Sequence, residues 1–242
     1  MKRLLLPKQH GAWVMLGLPY LIGMIAGGPK WIHIPLFLGW LFLYLASYPI
    51  MMYLKKKRSR EQYLKWIGIY MSLAILFVSL PLFLYVKLLL LSLFLLPLLI
   101  VNMFYARQNN ERAFLNDISA IAGLCLGGPA SYFVGTQQWD EKAVLIWISS
   151  VLFFMGSVFF VKTMIREKKN PKFKLYSWGY HSALPVGIAG AGFLPLSLAY
   201  LPSMARAIIF YGKPLKPKHI AVVEFTNSAY FLIFMTVLIR FI

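Results

Sequence analysis

The stretch DEKAVLIWISSVLFFMGSVFFVKTMIREKKNPKFK, residues 140–174, decides the fold. Asp140 and Glu141 open it, residues 143–161 carry no charge, and Lys162, Arg166, Lys168, Lys169, Lys172 and Lys174 close it. A run of roughly 20 apolar residues is the length an α-helix needs to cross the hydrocarbon core of a bilayer. Lys and Arg collect at the cytoplasmic ends of such helices. The stretch therefore predicts a span over 143–163 whose C-terminal end faces the cytoplasm.

The same pattern repeats along the chain. Apolar blocks punctuated by short polar segments predict spans at 12–28, 32–54, 64–82, 86–105, 114–135, 143–163, 179–197, 198–212 and 220–241. Two splits, near Pro81 and Lys87 and near Pro195 and Pro202, set the count between seven and nine, because proline kinks a membrane helix without always ending it. Charge tests the count. With the N-terminus inside, nine spans leave only Lys30, Lys87, Lys142 and Arg240 of the 25 Lys and Arg residues on the outer side. The expected fold is all-α: a polytopic transmembrane helix bundle, one domain over residues 1–242, N-in and C-out.

Composition agrees. Of 242 residues, 60% are hydrophobic and 13% charged, and the mean hydropathy is +0.69, more apolar surface than a soluble domain of this length can bury. The bilayer is the expected partner. A net charge of +18 in a soluble chain would suggest nucleic acid, but these cations sit in short connectors beside apolar spans, so no nucleic-acid partner is expected. The single cysteine, Cys125, lies in an apolar block and excludes an intramolecular disulfide. The opening MKRLLLPKQHGAWVML lacks a small-residue cleavage site and reads as a retained first span. Small residues cluster in GLCLGGPAS (123–131) and GIAGAG (187–192), which read as close helix-packing faces, the former also as a break lining a cavity.

Polar residues in or beside spans are costly in lipid and are candidates for function. Gln9, His10 and Trp13 stand at the inner mouth of the first span, and Asn102, Tyr105, Arg107 and Asn109 at the inner end of the fourth. Asn116 and Asp117 open the fifth, Lys162 and Arg166 close the sixth, and His181 lies near the start of the seventh. Lys162 and Arg166 are four apart and share a helix face. Together these residues predict a cation-rich, cytoplasm-facing cup suited to an anionic or lipid-phosphate ligand. The competing reading leaves Lys and Arg as headgroup anchors and the histidines as hydrogen-bonded structural residues. No cofactor or metal is expected: there is no phosphate-binding glycine loop, no Cys/His ligand spacing and no catalytic carboxylate pair among only seven acids.

Four segments carry a family resemblance: PKQHGAWVMLGLPYLIG (7–23), SYPIMMYLKKKR (47–58), FYARQNNERAFLND (104–117) and FVKTMIREKKNPKFKLYSWGYH (160–181). They resemble the YwiC-like family of bacterial membrane proteins, and the resemblance implies a multi-pass protein of the bacterial cytoplasmic membrane. The layout is also similar to UbiA-type intramembrane prenyltransferases, whose inner segments after the second and sixth spans carry Asp-rich motifs for Mg²⁺ and an isoprenoid diphosphate. Here those places read YLKKKRSREQ and KTMIREKKN, without aspartate. That likeness therefore implies architecture, with a degenerate prenyltransferase as one functional alternative. A small-molecule transporter or permease is the other.

The sidedness is directly testable. A topology reporter joined after residue 60 is expected to signal from the cytoplasm and one joined after Asp140 from the outer face; an external signal from the first overturns the assigned orientation.

Overall fold

The computed structural model describes residues 5–7, 10–55, 60–168 and 170–241, and every regular element among them is helical. In order they are α1 (His10–Gly27), α2 (His33–Lys55), α3 (Arg60–Leu84), a 3-10 helix (Val86–Leu91) running into α4 (Ser92–Arg107), α5 (Phe114–Cys125), α6 (Gly127–Thr136), α7 (Glu141–Ile165), α8 (Pro171–Gly190), α9 (Leu194–Leu198), α10 (Leu201–Ile209) and α11 (Pro217–Phe241). Taking the 3-10 helix with α4, α5 with α6, and α9 with α10, the described residues form nine helical stretches, one for each apolar block. Six are long and apolar enough to cross a membrane: α2, α3, Val86–Arg107, Phe114–Thr136, α7 and α11. Gly11–Gly27 and Leu194–Ile209 are apolar but shorter.

Local chemistry places the boundaries. Pro81 is carried inside α3, and the break falls at Tyr85, whose φ of −134° and ψ of 66° leave the helical region. Near the C-terminus the turn falls at 191–193, several residues before the expected split. Pro195 and Pro202 instead occupy the first turns of α9 and α10, where a missing N–H costs nothing. Asp140 accepts from the backbone N–H of Ala143 at 3.1 Å, and Asn170 caps α8 by accepting from Lys172 and Phe173, with Pro171 opening the helix.

The chain divides into two compact units, Met1–Trp147 and Ile148–Ile242, with the boundary inside α7. In the first unit α2 packs along α3, α1 along α6, and α4 along α5. The α1–α6 crossing is built on missing side chains. A Cβ on Gly23 would collide with the carbonyl of Gly128 and the hydroxyl of Ser131, and one on Gly135 with the backbone of Gly27. Ser131 Oγ donates to Tyr20 O across the crossing at 2.7 Å. His33, the first residue of α2, sets Nε2 2.9 Å from Ser131 O, while Tyr20 Oη donates to His33 O at 2.6 Å. These bonds pin the start of α2 to the same pair of helices.

In the second unit α8 packs against α9 and α10, and both α9 and α10 meet α11. Tyr180 Oη donates to Leu152 O and Tyr200 Oη to Ser149 O, so a half-buried and a buried phenol satisfy carbonyls of α7 in an apolar setting. The rings of Phe153 and Phe231 stack at 4.1 Å. The small residues at 187–192 do not form a packing face here: a Cβ at Gly187, Gly190 or Gly192 would meet nothing within 4 Å, and Gly192, with φ of +90°, serves the turn.

Gly135→Leu is expected to destabilise the purified protein by about 1–3 kcal/mol through overpacking, read as a lower midpoint in detergent unfolding, while Gly68→Leu, with open space at its Cβ, stays within error of wild type.

Candidate functional site

The first unit holds a half-open cavity of about 430 Å³ between α2, α4 and α5, with Pro7, Ala12 of α1 and Met71 of α3 at its edges. Its walls are mostly apolar: Leu43, Ile50, Leu95, Leu98 and Leu99 with Met51, Met52 and Met103. Trp40, Tyr44 and Tyr48 add aromatic surface along α2. The polar groups are few. Asn102 on α4 and Asn116 on α5 meet the cavity beside Glu111, from the connector between those helices, and Ser47 and Ser119 add hydroxyls.

Each polar group is anchored locally. Asn102 Nδ2 donates to Leu98 O one turn back at 2.8 Å, and Asn116 Nδ2 donates to Glu111 O at 2.8 Å, folding the connector against α5. Ser47 and Ser119 donate to Tyr44 O and Leu115 O, both at 2.7 Å. The Glu111 carboxylate pairs through Oε2 with Lys55, the last residue of α2. Trp40 Nε1 and Tyr44 Oη are buried and have no hydrogen-bond partner among the described residues.

Of the residues singled out from sequence in this unit, the structure brings Asn102 and Asn116 to one cavity. Trp13 instead sets its ring edge-on to Tyr44 at 5.4 Å, and Tyr105 packs edge-on to Phe104 at 5.6 Å. Arg107 is exposed at the end of α4, and Asn109 is exposed in the following turn with φ of +55°. Asp117 lies in the first turn of α5, next to Asn116. His10 begins α1 without a described side chain, and Gln9 lies outside the described residues. Among the described residues, no Lys or Arg lines this cavity. In the second unit, Lys162 is half-buried near the end of α7, Arg166 is exposed one turn on, and His181 is buried in α8 with Nδ1 2.7 Å from Ser177 O.

A family model described as YwiC-like protein matches residues 6–132, which include every residue lining the cavity. An uncharacterized protein YwiC of Bacillus subtilis (strain 168) is 46% identical over 237 residues, covering 97% of this chain and 98% of that protein. The chain belongs to the YwiC-like family. A second relative, an uncharacterized protein of Haemophilus influenzae, is 35% identical over 236 residues, with 97% of this chain and 98% of the other covered. No solved structure matches this YwiC-like chain at a significant level.

The second unit of this YwiC-like protein holds a polar centre that the sequence reading missed. Arg206, which the charge count leaves on the inner side, is buried on α10 and paired with Glu224 of α11. Its Nη2 donates to Ser157 Oγ of α7 at 3.3 Å, and its guanidinium lies 4.6 Å from the centre of the Phe160 ring. Ser203 and Asn227 bond beside it, with Asn227 Nδ2 donating to Ser203 Oγ at 3.0 Å. Three helices are thus tied by one guanidinium.

Removing one charge of a buried pair strands the other. Glu224→Gln is therefore expected to cost about 3–5 kcal/mol in detergent unfolding. The double change Arg206→Met with Glu224→Met is expected to recover most of that loss; a double variant no better than the single one shows the two residues uncoupled.

Proposed function

We propose that this YwiC-like protein is a multi-pass protein of the bacterial cytoplasmic membrane that binds an amphiphile in its first unit, with the apolar part in the cavity and the polar head at Asn102, Asn116 and Glu111. One observation supports this reading: a cavity of about 430 Å³ with apolar and aromatic walls and a small set of converging polar groups. Cavities of roughly 300–1,000 Å³ with this division of polarity are the usual form of small-molecule sites. The positive-inside pattern orients the polar end, beside the connector carrying Arg107 and Arg112, toward the cytoplasm.

Lipid tails are as apolar as the cavity walls, so moving a tail from bilayer to cavity gains little hydrophobic free energy. Selectivity then rests on the head. The basic connectors favour the lipid-phosphate head expected from sequence, while the cavity wall itself carries amides, hydroxyls and a carboxylate. Binding, rather than prenyl transfer or transport, is the reading a single cavity supports, since it requires no reacting group.

Gly123 provides the test. It lines the cavity, and a Cβ there would meet only Leu95 Cδ1, at 3.8 Å, so Gly123→Phe directs a ring into open space. Native mass spectrometry of wild-type protein is expected to show a retained amphiphile adduct, and Gly123→Phe to lose it roughly tenfold, equivalent to about 1.4 kcal/mol. Equal adducts on both proteins overturn the assignment of the cavity.

A further inference from the structure

We propose that the basic end of the second unit, where the connector between α7 and α8 meets the connector between α10 and α11, docks the headgroup of an anionic lipid with two phosphates, a diphosphatidylglycerol. The proposal concerns residues of the second unit alone and does not depend on what fills the cavity of the first.

Two segments remote in sequence are brought together there. Arg166 and Lys168 follow α7, and Lys172 and Lys174 open α8. Lys213, Lys216 and Lys218 run from the end of α10 into the first turn of α11. Leu215 packs on the cluster of Phe160, Met164, Ala207 and Ile220, which holds the second segment against the end of α7. Lys174 completes the join: its Nζ lies 4.2 Å from the centre of the Trp178 ring and 5.0 Å from that of Tyr211, so α8 reaches the second segment directly. Among the described residues Glu167 is the one acid in these segments, and none of the seven cations pairs with a carboxylate. Like charges gathered at one end of a helical unit repel one another unless anions from outside sit among them.

A lysine that only marks sidedness ranges freely over the headgroups. Lys174 is held in place. Two ring faces attract its ammonium, and Trp178 is itself fixed by donating from Nε1 to Ala207 O at 3.1 Å. Contact with the rings leaves N–H groups of the ammonium to donate to a phosphate. Lys213 Nζ, 5.5 Å from the centre of the Phe210 ring, presents a second such ammonium on the other segment. One ring-held ammonium on each segment suits a headgroup with two phosphates. Membrane lipid, rather than a soluble anion, is the source because apolar surface adjoins the charge. Leu175 and Tyr176, next to Lys174, are 67% and 63% exposed, and Ile208 and Ile209 are exposed on α10, against which α8 packs. Acyl chains cover such surface, and Trp and Tyr settle at the depth of the headgroups.

The experiment titrates delipidated full-length protein in a neutral detergent with diphosphatidylglycerol, phosphatidylglycerol and phosphatidylcholine, and counts bound lipid by native mass spectrometry. The first diphosphatidylglycerol is expected to bind at least roughly tenfold more tightly than phosphatidylglycerol, with phosphatidylcholine weaker than both. Lys174→Gln and Lys213→Gln are each expected to weaken it about fivefold, close to the effect of one lysine at an anionic surface. Lys213 is exposed, so its variant reports on binding even where removing Lys174 from its rings loosens α8. Lys65→Gln removes an exposed cation of α3, in the first unit, and is expected to leave the affinity within about twofold of wild type. Equal affinities for diphosphatidylglycerol and phosphatidylglycerol overturn the proposal. A Lys65→Gln loss as large as that of Lys213→Gln also overturns it and returns these lysines to general headgroup anchoring.

Discussion

The first unit depends on how closely two backbones approach where α1 crosses α6. In lipid the hydrophobic effect does not press helices together, so their association rests on close van der Waals packing and hydrogen bonds between them. Gly23, Gly27, Gly128 and Gly135 remove the side chains that would hold the axes apart, and Ser131 uses the proximity to bond Tyr20. His33 ties α2 to the same place through Ser131. Since α2 supplies the aromatic wall of the cavity and α5 continues into α6, the position of both walls follows from this glycine-lined contact.

Much of this was legible. Apolar block length set the helical stretches, and small residues at 123–131 marked a tight crossing, because only Gly, Ala and Ser allow it. The prolines misled in detail. Pro195 and Pro202 start helices, since proline fits the first turn, and the actual turn at 191–193 carried a weaker signal in Ala191 and Gly192. The glycines at 187–192 looked like a second packing face, yet composition alone does not say whether a partner stands opposite.

The site was legible in part for a physical reason. Asn102 and Asn116 stood out because an amide in an apolar block has to find partners, and both line the cavity. Arg107 and Arg166 stood out by charge, but a long cationic chain at a helix end reaches water, and both are exposed. Glu111 was passed over as a connector residue, yet it lines the cavity and pairs there with Lys55 at the end of α2. Arg206 was left by the charge count among the inner-side cations; the signal of its pairing was Glu224, an acid set within the final apolar block.

The pairing of Arg206 with Glu224 bears on how the two helices come together. Arg206 stands in the last turn of α10, and a helix that runs only from Leu201 to Ile209 has few apolar side chains of its own to set against a buried charge. Its counter-charge comes from the following helix, α11. Until α10 and α11 have met, each carries an unpaired charge in apolar surroundings, so the docking of the two helices and the neutralisation of both charges are one event.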